Sequence, residues 1–148
     1  MTVVRNATTS DIPAVLELLH DLGRPDPADA ADAERFAAIA SSYVADLDKA
    51  VLVAESGGRI TGLASVIFLI RLNRPGPEMY IPELVTRADC RGQGVGRALI
   101  EACVELAGRK ECHRIRLESG NRRHGSHSFY RRLGFGQSAL SFDLQISG

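Results

Sequence analysis

The chain has 148 residues, 45% of them apolar and 24% charged, with eighteen basic residues balancing eighteen acidic ones. That length suits one domain with a real core and no need of metal or disulfide staples, and the charge balance excludes a global field that would draw it to nucleic acid or anionic membrane. Cys90, Cys103 and Cys112 are odd in number and lack C-x-x-C spacing, which argues against a disulfide framework or a zinc site and fits a reducing cytoplasm.

Polar residues 5–11 follow the start almost at once, so no signal peptide is expected. Residues 2–5 are β-prone. Thr8, Thr9, Ser10 and Asp11 are candidate N-caps, and Pro13 is tolerated in a first helical turn. Ile12, Val15, Leu16 and Leu19 then recur at helical spacing, which predicts a first helix to about Leu22, stopped by Gly23 and Pro25. A second helix is expected within residues 28–48, with Phe36, Ile39, Ala40, Tyr43, Val44 and Leu47 as its apolar stripe. The acidic residues Asp26, Asp29 and Asp32 read as a solvated loop or face.

Residues 51–55 form a strand, 56–59 (Ser-Gly-Gly-Arg) a hairpin turn, and 60–72 a strand apolar on both faces, as in a covered sheet. Ser65 and Arg71 interrupt this run, which is too short to span a bilayer. A further strand starts near Met79. Pro82 inside it cannot donate to a ladder, so a bulge or splay is expected there. A helix over 95–107 has Val95, Leu99, Ala102, Cys103 and Leu106 on its inner face. Residues 113–118 alternate as a strand, 127–133 form a short helix ended by Gly134, and 137–146 are expected to close the fold with one or two strands.

Between the Met79 strand and the 95–107 helix lies Arg91-Gly92-Gln93-Gly94-Val95-Gly96, bracketed by Arg91 and Arg97. Glycines let the backbone turn tightly and approach a ligand. Successive amides of such a turn, with the free N–H groups of a helix N-terminus, make a phosphate or diphosphate nest. A dinucleotide fingerprint from Gly92 needs glycine at 97, and a Walker loop needs Gly-Lys at 97 and 98. The chain has Arg97 and Ala98, so both fail.

What remains, Arg91-x-x-Gly94-x-Gly96, resembles the diphosphate-binding motif of the GCN5-related N-acetyltransferases, which bind acetyl-coenzyme A. Two further segments are similar to that family in order and spacing: Ile81-Pro-Glu-Leu-Val-Thr and Phe129-Tyr-Arg-Arg-Leu-Gly-Phe135. The resemblance covers nearly the whole chain. It implies one α/β (α+β) domain over residues 1–148, with a mixed, mostly antiparallel sheet of about six to seven strands, splayed at the fourth and flanked by about four helices.

It also implies roles. Arg91, Gly92, Gln93, Gly94, Val95, Gly96 and Arg97 would hold the diphosphate of acetyl-coenzyme A, and main-chain groups of Leu84 and Val85 would face the acetyl carbonyl and pantetheine arm. Asn121 is a further candidate for the arm, although it is farther from the tyrosine than is usual. Glu83 shares a strand face with Ile81 and Val85 and is the candidate base. An apolar setting raises a carboxylate toward the useful range; a solvent-facing or arginine-paired glutamate is the plainer alternative. Tyr130 matches the family tyrosine that protonates the departing thiolate, against the alternative of a helix packing its aromatic side. His127 precedes it by one turn. The basic residues Arg122, Arg123 and His124 read as a solvated loop.

The expected activity is acetyl transfer from acetyl-coenzyme A to a primary amine of a small molecule, by direct attack in a ternary complex, without a metal, nucleic acid or membrane. A protein N-terminus or lysine is the enzymatic alternative, and a coenzyme A-binding module without catalysis is the alternative of another class. Family resemblance makes a homodimer a common arrangement.

Overall fold

The computed structural model describes residues 1–119 and 124–147, His124 through its backbone alone. Asn121, Arg122 and Arg123 lie outside the described residues, as does the side chain of His124. Two compact units are present, Met1–Leu117 and Glu118–Gly148. No helix among the described residues is long and apolar enough to cross a membrane.

The first unit is a six-stranded sheet with helices on both faces. Its strands are β1 (Val3–Asn6), β2 (Lys49–Ser56), β3 (Arg59–Ile70), β4 (Pro77–Ile81), β5 (Leu84–Thr86) and β6 (Ile115–Leu117); its helices are α1 (Ile12–Asp21), α2 (Ala30–Ala45) and α3 (Val95–Arg109). The order across the sheet is β1-β2-β3-β4-β6, with β5 also paired to β3. All pairs are antiparallel except β4 with β6.

Local chemistry explains the element ends. Asp29 caps α2, its carboxylate accepting from the Asp32 N–H at 2.8 Å, and Asp32 pairs with Arg35 at 2.9 Å. Asp26 pairs with His20 at 2.7 Å, so the acidic run has structural and solvated roles. Gly57 and Gly58 both have positive φ, +59° and +77°, as a tight two-residue β-turn requires.

Residues directly opposite in an antiparallel pair share a face. Val53, Leu63 and Val85 therefore lie on one side, where they pack with Val15 and Leu18 of α1 and with the half-buried Tyr43 and Val44 of α2. The stripe of α2 is shorter and narrower than its sequence suggested: Ile39 is exposed because it lies off the arc of Ala40, Tyr43 and Val44, and Leu47 is exposed because the helix ends at Ala45 before reaching it. The opposite face carries α3, which buries Val95, Leu99, Ile100, Cys103 and Ala107. The helix packs closely at Gly62, where a Cβ would stand 2.8 Å from Val95 Cγ1 and 2.9 Å from the Val85 carbonyl oxygen.

The fourth strand breaks as Pro82 predicted. Its first half, β4, pairs with β3 over Ile67–Ile70 and with β6 on its other side. Its second half, β5, continues along β3 over Gly62–Ala64 and pairs with no other described strand. The sheet is thus splayed between β5 and the β6 side.

In the second unit α4 spans His124–Arg132. Gly134 takes φ +96° just beyond it, and the Phe135 N–H returns to the Tyr130 carbonyl at 3.0 Å, a glycine-dependent helix stop. Residues 133–147 contain no strand, contrary to the expectation of one or two over 137–146. Leu140, Phe142, Leu144 and Ile146 keep the period-two pattern but are exposed. Alternation supplies an apolar face; a strand also needs a hydrogen-bonded neighbour, and no ladder forms among these described residues.

Candidate active site

Glu83 occupies the gap between β4 and β5, where Pro82 has interrupted the ladder. Ser65 on β3 secures it from three directions. The Ser65 N–H donates to the Glu83 carbonyl at 2.9 Å, the Glu83 N–H donates to Ser65 Oγ at 3.0 Å, and the Ser65 hydroxyl donates to Glu83 Oε2 through a short hydrogen bond. The other oxygen, Oε1, stands 3.6 Å from Arg24 Nη2. Arg24 belongs to the loop after α1 and also donates to the Pro82 carbonyl at 3.4 Å. The carboxylate is held in one orientation yet remains 22% exposed.

Tyr43 of α2 belongs to the same neighbourhood. Burial raises its phenol, and the nearby charge of Glu83 and the Tyr80 phenol push in the same direction. Tyr43 therefore stays protonated in the neutral range and can present a hydrogen-bond donor there. Ser65, Arg24 and Tyr43 were not selected from sequence. The available signal was Ser65, a hydroxyl in an apolar run.

The main chain of β5 supplies the next feature. Ser65 N donates to Glu83 O, and Arg87 N donates to Thr61 O at 2.8 Å. In an antiparallel ladder alternate residues point at the partner, so the amide and carbonyl of Val85 face β3. Those of Leu84 and Thr86 face the open edge. Thr86 thus joins Leu84 as a main-chain position available to an extended ligand.

The strand runs on to the glycine turn. Gly92 and Gly94 have φ of +77° and +83°, and Gly94 is the N-cap of α3, so no side chain caps the helix. The amides of Val95, Gly96 and Arg97 open the helix toward the exposed turn. This donor set suits a diphosphate, as free N–H groups at the positive end of a helix favour an anion. Arg91 is exposed. The Gln93 side chain donates to the Asp89 carbonyl at 3.5 Å. The Arg97 guanidinium lies against Glu101 at 3.1 Å, one helical turn on.

The turn is braced by Asp89, which pairs with Arg59 at 2.8 Å and Arg87 at 3.4 Å. The Arg59 hydrogen bond, then that of the Cys90 thiol, holds the Asp89 carboxyl down at about 2. Cys90 is buried and its thiol is pushed up by desolvation, then by Asp89. It is the reverse of an activated nucleophile.

Tyr130, in the second unit, is half-buried on α4. Its ring meets those of Phe129 and Phe135 edge-on, with centroids at 5.3 and 5.7 Å. The first unit thus brings together Glu83, Leu84 and the 91–97 turn along one strand–turn–helix path. Asn121 lies outside the described residues.

Comparison with known proteins agrees with this geometry. The profile of the acetyltransferase (GNAT) family matches residues 13–135. The chain is 32% identical over 133 residues to glucosamine 6-phosphate N-acetyltransferase of Trypanosoma brucei brucei, covering 85% of this chain and 83% of that protein. A solved structure of a candidate acetyltransferase from Agrobacterium tumefaciens superposes with a TM-score of 0.85 at 27% identity, covering 97% of this chain and 99% of that one. An acetyltransferase of Trypanosoma brucei superposes at 0.79 with 26% identity, covering 99% and 100%.

Proposed function

The chain belongs to the acetyltransferase (GNAT) family and is an N-acetyltransferase, and from that premise we propose that it acetylates the primary amine of a small molecule by direct attack in a ternary complex with acetyl-coenzyme A. The observation that carries this reading is the broken fourth strand. One continuous path offers an oriented carboxylate at the break, outward main-chain groups at Leu84 and Thr86, and a glycine turn at a helix N-terminus. We also read the two units as parts of one domain, because the family match crosses the boundary after Leu117.

Acetyl-coenzyme A supplies the activated thioester. An alkylamine with a pKa of ~10.4 is about one part in 2,500 free base at pH 7, so deprotonation costs roughly 4.6 kcal/mol. Glu83 takes that proton, directly or through a water, while Ser65 keeps its Oε2 oriented. Main-chain N–H groups at the β5 edge orient the arm and carbonyl. The amides over 92–97, with Arg91, hold the diphosphate, and the Tyr130 hydroxyl holds the proton that the departing sulfur requires.

The Trypanosoma relative acts on glucosamine 6-phosphate, which therefore heads the acceptor panel. Calorimetric titration with acetyl-coenzyme A, with ATP and NAD as controls, should show selective saturable binding. A free-thiol assay over amino sugars, alkylamines and lysine peptides then identifies the acceptor. Tyr130→Phe should lower turnover about 100-fold with cofactor affinity unchanged. Acetylation confined to peptides would overturn the small-molecule assignment, and absence of acetyl-coenzyme A binding would overturn the use of this donor.

A further inference from the structure

At the end of β4 away from the glycine turn, the Glu78 side chain is fully buried and surrounded by arginines. Arg71 Nη2 lies 2.6 Å from its Oε1, Arg114 Nε lies 2.7 Å from its Oε2, and Arg116 Nε lies 3.5 Å from Oε1. One carboxylate cannot neutralise both Arg71 and Arg114. Arg71 and Arg114 leave nearly half of their side-chain surface exposed, and that surface lines a pocket of about 310 Å³ with Asn73, Arg74 and His113. Every lining side chain carries N–H donors, and none of them is a carboxylate.

The walls are tied together by the backbone. The His113 N–H donates to the Pro77 carbonyl and the Met79 N–H to the Arg114 carbonyl, both at 3.0 Å. A Cβ on Gly76 would meet the Glu111 carbonyl oxygen at 3.3 Å. The turn after β3 and the chain entering β6 are therefore held against each other, with the arginines anchored from beneath by Glu78.

We propose that this pocket is a second anion site, built to take a phosphoryl group between Arg71, Arg74 and Arg114. Arginine's planar fork matches phosphate oxygens. Anchoring two of the three forks on a buried carboxylate removes the conformational cost of gathering them, while three positive charges against one negative leave an attractive field. Glu78 lies opposite Leu69 and Glu83 opposite Ser65, four residues apart on β3 or roughly 13 Å, and the pocket lies on the far side of Glu78. It is thus distinct from both the amine position and the diphosphate turn, and it does not depend on the acetyl-transfer reading. Its occupant is either free phosphate or a phosphate monoester.

The test is calorimetric titration of the whole protein with inorganic phosphate and, separately, with glycerol phosphate. Wild-type protein and Arg91→Ala are both used, the latter to weaken the turn. Saturable binding should persist in Arg91→Ala. It should weaken at least tenfold in Arg74→Glu combined with His113→Gln, two exposed positions that leave the Glu78 cluster in place and so spare the fold. Equal affinity for the two probes assigns the site to free phosphate, and tighter binding of the ester assigns it to a phosphorylated ligand. No saturable binding to Arg91→Ala, or binding that survives the double substitution, overturns the proposal.

Discussion

Glu78 and Glu83 flank one short stretch of the same broken strand, and their surroundings differ: one is sealed under cations, the other oriented and partly open, as the proposed reaction requires. Glu78 is sealed from solvent under three guanidiniums. Burial alone would raise its carboxyl, but hydrogen bonds from Arg114 and Arg71 outweigh that and hold it at about 2. Such a group keeps no proton in the neutral range. Glu83 has one serine hydroxyl on one oxygen and a looser arginine near the other, with part of its surface open. The comparison teaches that residue type does not make a base. A carboxylate can take a proton from a substrate when it is oriented, reachable and not already saturated by cations.

The sharpest break of this contrast is Glu78→Ala, which leaves three guanidiniums without their shared anion. It should cost about 3 kcal/mol or more of folding stability, read as a fall in the denaturant midpoint at unchanged slope. Glu83→Gln should instead leave stability within about 0.5 kcal/mol and lower turnover at least 100-fold, about 2.7 kcal/mol in the barrier.

Acid titration reads the Glu78 cluster directly. A carboxyl depressed in the folded state to about 2, from an ordinary 4.5, contributes fully above pH 4.5. That contribution is lost as the pH falls through 4.5 toward 2, because the unfolded chain binds the proton first. Melting curves between pH 6 and 2 should show this loss, and Glu78→Gln should make the slope shallower. Asp11 and Asp89, also held at about 2 by Arg5 and Arg59 respectively, contribute to the slope that remains. The smallest effect belongs to Ser65→Ala. It removes the hydroxyl that donates to Glu83 Oε2 and accepts from the Glu83 N–H, without touching the charge, and should slow turnover about fivefold, about 1 kcal/mol in the barrier. KM for acetyl-coenzyme A should stay unchanged.

The legible parts of this protein are those whose physics is local. The glycine turn, the helix it opens and the strand before it are contiguous in sequence, so a left-handed φ at Gly94 and a ladder break at Pro82 could be anticipated from residue type. The helix stop at Gly134 and the two-glycine hairpin at 57–58 are legible for the same reason. Alternation misled over 137–146, because periodicity describes which face is apolar and says nothing about who pairs with the backbone.

What only the tertiary structure decided lies in contacts between distant residues. Ser65 and Glu83 are eighteen residues apart, Arg114 and Glu78 thirty-six, and Arg24 reaches Pro82 across fifty-eight. No spacing rule links such pairs; the first two meet because antiparallel register sets β3 against the break and parallel pairing sets β6 against β4, and the third because α1 packs on the sheet with its following loop beside the break. The sequence by itself determined where the chain turns and where a carboxylate stands. The fold decided which carboxylate is sealed and which is open, because burial and the gathering of opposite charge are properties of packed neighbours.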